Sequence, residues 1–495
     1  MTSPTFITTL LPRIPVVARM AGATCAVALV LAGTANLGAQ APDRSKPPAT
    51  GTAPALNIPA IQKHTLSNGL PVWIVEMHEV PVVDVNLIVK SGAASDLTGK
   101  FGVANFTAAM LDEGAGALNA LQLADAIDML GASLGTSSSY DASSVSLHAL
   151  VSTLDAALPI MADVALRPTF PQTDLDRLRA ERLTTLLQLK DNPSQLATAA
   201  FNRILFGEGH RYGTGVMGTE TTNKALAAGD LRAFHAAHYQ PSNSHLLVVG
   251  DVTASVVLPL LERAFGAWKN GSAVPRPTLP AAPQPKARQV FLVDKPGAAQ
   301  SQIRIGSIGV ARNTPDFHAI DVTNTMLGGS FSSRLNMNLR EKNGYSYGAG
   351  SQFAMRQAAG PFVALSGVQS DKTRESLVEF FNELNGLTTP PSAEELSRVR
   401  NLQALGFPGG FETTGGMAGQ LADLVVYGLP DSFFNEYVPK IQGVTAADVQ
   451  RVAREHIQPN RVIVVVAGDL KSIEGPIKAA NLGPVTVVTA DDMLK

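Results

Sequence analysis

The feature that most constrains this chain is a repeat inside it. "AGDLRAFHAAHYQPSNSHLLVVGDV" (228–252) matches "AADVQRVAREHIQPNRVIVVVAGDL" (446–470). Asp230 aligns with Asp448, His238 with His456, Pro241 with Pro459 and Asp251 with Asp469, each pair 218 positions apart. The same offset sets Val75 against Val293 and Leu87 against Ile305, near the start of each half. One offset at both ends of a long segment describes a duplicated domain, not a short-period solenoid. The chain has 495 residues, too many for one compact core.

Each half opens with period-two, β-branched segments: "PVWIVEM" (71–77) and "VVDVNLIVKSG" (82–92), then "QVFLVDK" (289–295) and "QIRIGSIGV" (302–310). Helical patterns follow. One is "TDLDRLRAERLTTLLQLK" (173–190), with Thr173 as expected N-cap and acids in its first turn. "HLLVVGDV" and "VIVVVAGDL" close the halves as strands. Strands grouped with packed helices predict α+β layers rather than a parallel doubly wound sheet.

Breaker-rich stretches set the boundaries. Residues 42–60 and 273–289 ("AVPRPTLPAAPQPKARQ") read as linkers, leaving domains over 61–272 and 290–490. Before them, Arg13 and Arg19 precede the apolar run "AGATCAVALVLA" (21–32), and no acidic residue occurs before Asp43. This reads as a secretory signal over 1–41, cleaved near Ala41; an uncleaved membrane anchor is the alternative. The single cysteine, Cys25, lies inside it, which excludes a disulfide framework and a Cys-ligated metal in the remaining chain. An exported chain of this kind suits a periplasm. Net charge is −2, which gives no electrostatic reason to expect nucleic acid or an anionic membrane as partner.

The chemistry centres on "GVANFTAAML" (102–111). As a helix it puts Asn105, Ala108 and Ala109 on one face. The flanks, Gly102, Ala104, Phe106, Met110 and Leu111, resemble the G-x-A-H-F-x-E-H-M-L element of the insulinase/pitrilysin family of inverted zincins. In that family two His at i and i+4 hold Zn²⁺ and the Glu between them is the general base. Here Asn105 replaces the first His, Ala108 the Glu and Ala109 the second His. The third ligand position, set by "DNP" (191–193), falls near Thr185, and no Glu lies between Arg182 and Gly207. Alanine binds no metal and moves no proton, so a degenerate zinc site is expected. A relocated site built from His235, His238 or His148 is disfavoured. His238 and its repeat partner His456 are expected at helix C-termini, complementing the dipole. Asp112 and Glu113 are expected in a solvated helix end or loop.

Other elements resemble the family more fully. "HRYGTGVMGT" (210–219) keeps His210, Tyr212, Gly213, Gly218 and Thr219 of an H-P-Y-G-x-x-x-x-G-T element. "SSRLNMNLREKNGYSYGAGS" (332–351) matches L-R-x-x-x-G-x-x-Y, with Gly344 three before the Tyr. The resemblance implies that Arg340 and Tyr347 are a substrate-binding pair, able to hold a peptide carbonyl or an oxyanion with directed donors. "FPGGFETTGG" (407–416) is read either as a loop lining a substrate cavity or as a flexible helix connection.

Degenerate zinc positions beside an intact Arg/Tyr pair resemble the non-catalytic chain of the family's heterodimeric branch. The resemblance implies a clam shell of duplicated halves, each half of two related α/β-sandwich subdomains with mainly antiparallel sheets. It also implies a homologous H-x-x-E-H partner that carries the zinc, and unfolded peptides as substrates. No stable membrane insertion is expected once the signal is cleaved. A catalytically inactive scaffold is the alternative function. An independent enzyme is disfavoured, because no Cys nucleophile or G-x-S-x-G elbow is present.

Overall fold

The computed structural model describes residues 51, 56, 58–275 and 278–494. The expected signal segment, Cys25 and most of linker 42–60 lie outside the described residues.

The first half forms β1 (Gln62–Thr65), β2 (Pro71–Glu76), β3 (Val82–Val89), a small ribbon of β4 (Gly114–Ala115) and β5 (Leu118–Asn119), then β6 (Ser133–Ser138), β7 (Ser143–Leu150) and β8 (Ser244–Gly250). The second forms β9 (Gln289–Asp294), β10 (Gln300–Ile308), β11 (Ser346–Phe353), β12 (Pro361–Gln369), β13 (Ile463–Gly468) and β14 (Val485–Val488). The sheet orders are β1-β2-β8-β3-β7-β6 and β11-β12-β10-β13-β9-β14. Read from its other edge, the first sheet matches the second over five strands.

The register repeats too. Val75 pairs with Val249 and Val293 with Ala467, both in parallel ladders. Leu87 pairs with Leu246 and Ile305 with Val464, both antiparallel. Only the sixth strand differs: β1 is an antiparallel hairpin arm on β2, whereas β14 runs parallel to β9. The duplicated α/β halves are thus as the repeat predicts. Each half carries one large sheet, so the two related subdomains are the halves themselves. β13 is buried at every position because helices cover both its faces, which explains its unbroken apolar run.

The helices that matter below are α1 (Val103–Ala109), α2 (Gln172–Leu189), α3 (Pro193–Phe206), α4 (Ala228–His238), α5 (Phe317–Leu327), α6 (Ala393–Gly406), α7 (Thr414–Tyr427), α8 (Ala446–His456) and α9 (Ala490–Leu494). Two of them are exchanged. Leu196, Ala200 and Phe201 of α3, in the first half, pack on Val293, Val465 and Ala467 of the second sheet. Met417, Ala418 and Leu421 of α7, in the second half, pack on Val75, Leu247 and Val249 of the first sheet. Helices α3 and α7 begin 221 positions apart. Each half therefore lends one helix to the other's sheet, and both cores need both halves.

Two local expectations change. Helix α2 starts at Gln172, one residue early, and its cap position is Pro171, which offers no side-chain acceptor; Thr173 lies inside the first turn. The glycine-rich stretch 407–416 is a helical connection. A 3-10 turn spans Phe407–Phe411, Thr413 caps α7 through the Gly416 amide, and Gly415 and Gly416 sit in the first turn of that helix. None of its glycines has a positive φ.

Candidate functional site

Helix α1 begins in a buried ion pair. The Asp96 carboxylate accepts the backbone N–H groups of Gly102 at 2.7 Å and Ala104 at 3.0 Å, satisfying donors the helix start leaves open. Arg211 pairs with the same carboxylate at 3.0 Å, and both side chains are almost fully buried. Gly102 has φ 100°, and a Cβ there would collide with the Met217 carbonyl. Gly218, with φ 77°, faces the Phe101 carbonyl as closely, and Thr222 Oγ1 donates to that carbonyl at 2.7 Å. The 210–219 loop is therefore fastened to the start of α1.

On the far face of α1, Ala108 is buried while Asn105 and Ala109 are half-buried. The group that meets this face comes from α2 and is a cation. Arg182, 7% exposed, donates Nη1–H to Asn105 Oδ1 at 2.8 Å, Nε–H to Asn223 Oδ1 at 2.7 Å and Nη2–H to the Met217 carbonyl at 3.1 Å. Its guanidinium lies 4.5 Å from the Phe106 ring centroid. Burial lowers its pKa to about 10, still high enough for it to stay charged near neutrality. Thr185, one turn on, is exposed and donates its hydroxyl to the Glu181 carbonyl. An amide already engaged by a guanidinium, two methyl groups and an outward hydroxyl do not fit Zn²⁺, which needs tetrahedral imidazole or carboxylate donors.

The second half shows what stands at the same place there. Arg179 on α2 donates to the carbonyls of Leu226 at 2.6 Å and Asn223 at 3.2 Å. Arg400 on α6 donates to those of Val444 at 3.1 Å and Gln442 at 2.8 Å. Leu226 and Val444 are 218 apart, so the two arginines perform one role. One turn further, Arg182 corresponds to Gln403. Gln403 ties α6 to α5 by a neutral hydrogen bond to Thr325 Oγ1 at 3.0 Å. The role of Arg182 is not visible from residue types alone. The signal that could have found it is an Arg one turn before the third ligand position.

Arg340 and Tyr347 come together on the surface of the second half. Residues Met337–Lys342 form a π-helical turn, a wide and uncommon geometry often found at functional sites. Gly344, with φ 65°, reverses the chain into β11, an edge strand whose register is irregular between Ser346 and Ala349. Tyr347 sits in that irregularity and is 87% exposed. The Arg340 guanidinium lies 5.0 Å from the Tyr347 ring centroid and 4.7 Å from that of Phe331, itself 63% exposed. The cation is thus held between two rings that solvent reaches. Phe331 lies just outside the recognised motif and was not identified from sequence.

The remaining singled-out residues are structural. His238 packs on Phe234 and bonds Ser91 Oγ at 3.0 Å. Burial lowers its pKa to about 4, so it is neutral and does not serve the helix dipole as a charge, contrary to expectation. His235 reaches the Ala165 carbonyl at 2.8 Å, and His148 contacts Asp84 at 3.2 Å. Asp112 and Glu113 are half-buried rather than solvated: burial raises the Asp112 pKa, and Glu113 accepts from Arg177 at 2.5 Å. Among the described residues, Asp316, Glu455 and His456 form a group with metal-ligand chemistry. Arg451 already donates to both Asp316 oxygens, at 2.7 and 3.1 Å, so the group reads as an ion-pair network.

Comparison with known proteins agrees with this picture of a zincin fold. A model described as "Insulinase (Peptidase family M16)" matches residues 72–220, and one described as "Peptidase M16 inactive domain" matches residues 225–403. A protein named as an uncharacterized zinc protease of Streptomyces coelicolor is 25% identical over 424 residues, 84% of this chain and 91% of its own length. The zinc protease PqqE of Helicobacter pylori is 25% identical over 426 residues, 82% of this chain and 93% of its own. The solved peptidase M16 inactive domain from Pseudomonas fluorescens has a TM-score of 0.77 at 28% identity, covering 83% of this chain and 98% of that one. The first half of the Escherichia coli periplasmic protease PqqL shares the fold, with a TM-score of 0.69 at 16% identity over 88% of this chain and all of that half.

Proposed function

This chain belongs to the insulinase family of M16 peptidases, and from that membership we propose that it is the non-catalytic, substrate-binding subunit of a heterodimeric zinc metalloendopeptidase. The observation that carries the reading is the pairing of a zinc site without ligands and an Arg340–Tyr347 pair displayed to solvent. The partner is a homologous chain with an intact H-x-x-E-H helix, and the substrates are unfolded peptides. The partner's zinc, when bound, polarises water and the scissile carbonyl. This chain's part is positional. Arg340 and the Tyr347 hydroxyl supply N–H and O–H donors to a peptide carbonyl, or to the oxyanion it becomes, and closure of two such chains around the peptide excludes water.

A periplasmic location fits the signal-like segment 1–41 and the likeness to a protein named as periplasmic. Among the described residues no helix is long and apolar enough to cross a membrane.

The test is reconstitution. The chain alone should cleave no peptide, and addition of an H-x-x-E-H homologue from the same genome should give a stable complex with peptidase activity. Arg340→Ala with Tyr347→Phe should lower kcat/KM of that complex by roughly 100-fold, the scale of losing an oxyanion donor, while leaving the complex assembled. Unchanged hydrolysis by the double variant would defeat the role. Assembly that leaves the homologue's activity unaltered would favour the scaffold reading.

A further inference from the structure

The face of α1 that once could have carried ligands is not simply empty of them. A guanidinium reaches its first ligand position, Asn105, and is fixed there by acceptors from three segments: α1, the 210–219 loop at Met217, and Asn223. All three acceptors are neutral oxygens aimed at one positive charge. The Phe106 ring of α1 covers the guanidinium from the side.

We infer that Arg182 closes this site to metal cations, so that the loss of zinc chemistry is enforced by a residue outside the ligand set and would outlast the return of the ligands. The reasoning is chemical. An imidazole placed at position 105 would meet an N–H of Arg182 where a metal would have to sit. The lone pair that zinc needs would accept that hydrogen instead. A divalent ion bound beside a fixed, buried guanidinium also suffers like-charge repulsion in a region that water screens poorly. Nothing in the fold requires a cation here, because Gln403 makes the corresponding tie in the second half without charge. The inference rests on reading α1 as a former zinc helix and deepens the non-catalytic assignment. It concerns the metal content of the chain by itself, so it can fail while the role of Arg340 and Tyr347 in the complex survives, and the reverse.

The experiment compares two full-length variants, N105H/A108E/A109H/T185E and the same four changes with R182Q. Each is incubated with zinc chloride, freed of loose metal by gel filtration and analysed for zinc per chain; affinities are then measured by competition with a chromogenic chelator. The four-change variant should leave the column essentially free of zinc. Adding R182Q should bring zinc close to stoichiometric, with affinity higher by roughly 100-fold. Equal binding by the two variants would overturn the inference. So would failure of both to bind while each keeps the parent's far-ultraviolet spectrum. Should four changes prevent folding, the milder pair N105H/A109H with and without R182Q asks the same question, since two imidazoles at i and i+4 already hold zinc weakly. Tighter zinc binding with R182Q supports the inference, and no difference overturns it.

Discussion

The two halves share five strands, their order and their register, yet they close the same joint in opposite ways. In the first half the short helix α1 presents Asn105, Ala108 and Ala109, and a charged side chain, Arg182, fills the approach. In the second half the α5 side chain that meets the corresponding Gln403 is Thr325, with Asp321 one turn before it. Around them Phe407 stacks on Tyr437 at 3.8 Å, and the Tyr437 hydroxyl donates to Asp321 at 2.7 Å. One half closes the joint with a buried cation over small groups, the other with neutral side chains that hydrogen-bond and stacked aromatic rings. What fills such a joint decides whether it has room for chemistry. Large apolar side chains leave no room for chemistry. Small residues leave room, and in the first half the Arg182 side chain takes it.

The largest effect is expected at the buried pair that starts α1. Asp96→Ala strips Arg211 of its buried partner and uncaps α1. It should cost about 3–5 kcal/mol in urea unfolding; a loss under 1 kcal/mol would mean the pair is not an anchor. Next come the two ties. Asn223→Ala removes an acceptor from a buried guanidinium and should cost about 2–3 kcal/mol, whereas Gln403→Ala, which loses a neutral bond, should cost about 1 kcal/mol. Equal losses would erase the distinction between the halves.

A smaller effect belongs to His238. The folded pKa of His238, about 4, lies below its ordinary value of 6.5. Between those values the unfolded chain binds more protons, so stability is full above pH 6.5 and falls as pH drops toward 4. His238→Gln should flatten that fall by on the order of 2 kcal/mol in unfolding titrations. The smallest effect is at the displayed pair. Phe331→Ala frees one side of Arg340 and should raise KM of the reconstituted complex about two- to fivefold with kcat unchanged, in line with an exposed cation–π contact.

The sequence carried the fold through its one strong signal. A shared offset of 218 at Val75, Leu87, His238 and Asp251 implies shared pairing, and the registers repeat with that number. The helix exchange was not legible. An amphipathic pattern tells which face of α3 is apolar, not whose sheet it will cover. Between the two ends of the repeat the offset also drifts to 221, which hid the kinship of α3 and α7 and left 407–416 open between a cavity loop and a helix connection. At the site, the residue types at Asn105, Ala108 and Ala109 carry the expectation of a degenerate zinc site, and the sequence shows nothing of what surrounds them. The arrival of Arg182 depends on which way α2 is rotated, and the positions of Asn223 and Met217 depend on tertiary packing.

The exchange of α3 and α7 bears on how the chain can come into being. As the polypeptide is made, the first sheet is complete by Gly250, yet the helix that shields Val75, Leu247 and Val249 follows only at Thr414–Tyr427. Until then an apolar sheet face stays open to water or to a chaperone. A fragment ending at the central linker would therefore be sticky and ill-formed despite holding an entire repeat. The two incomplete halves finish each other only when both have been made.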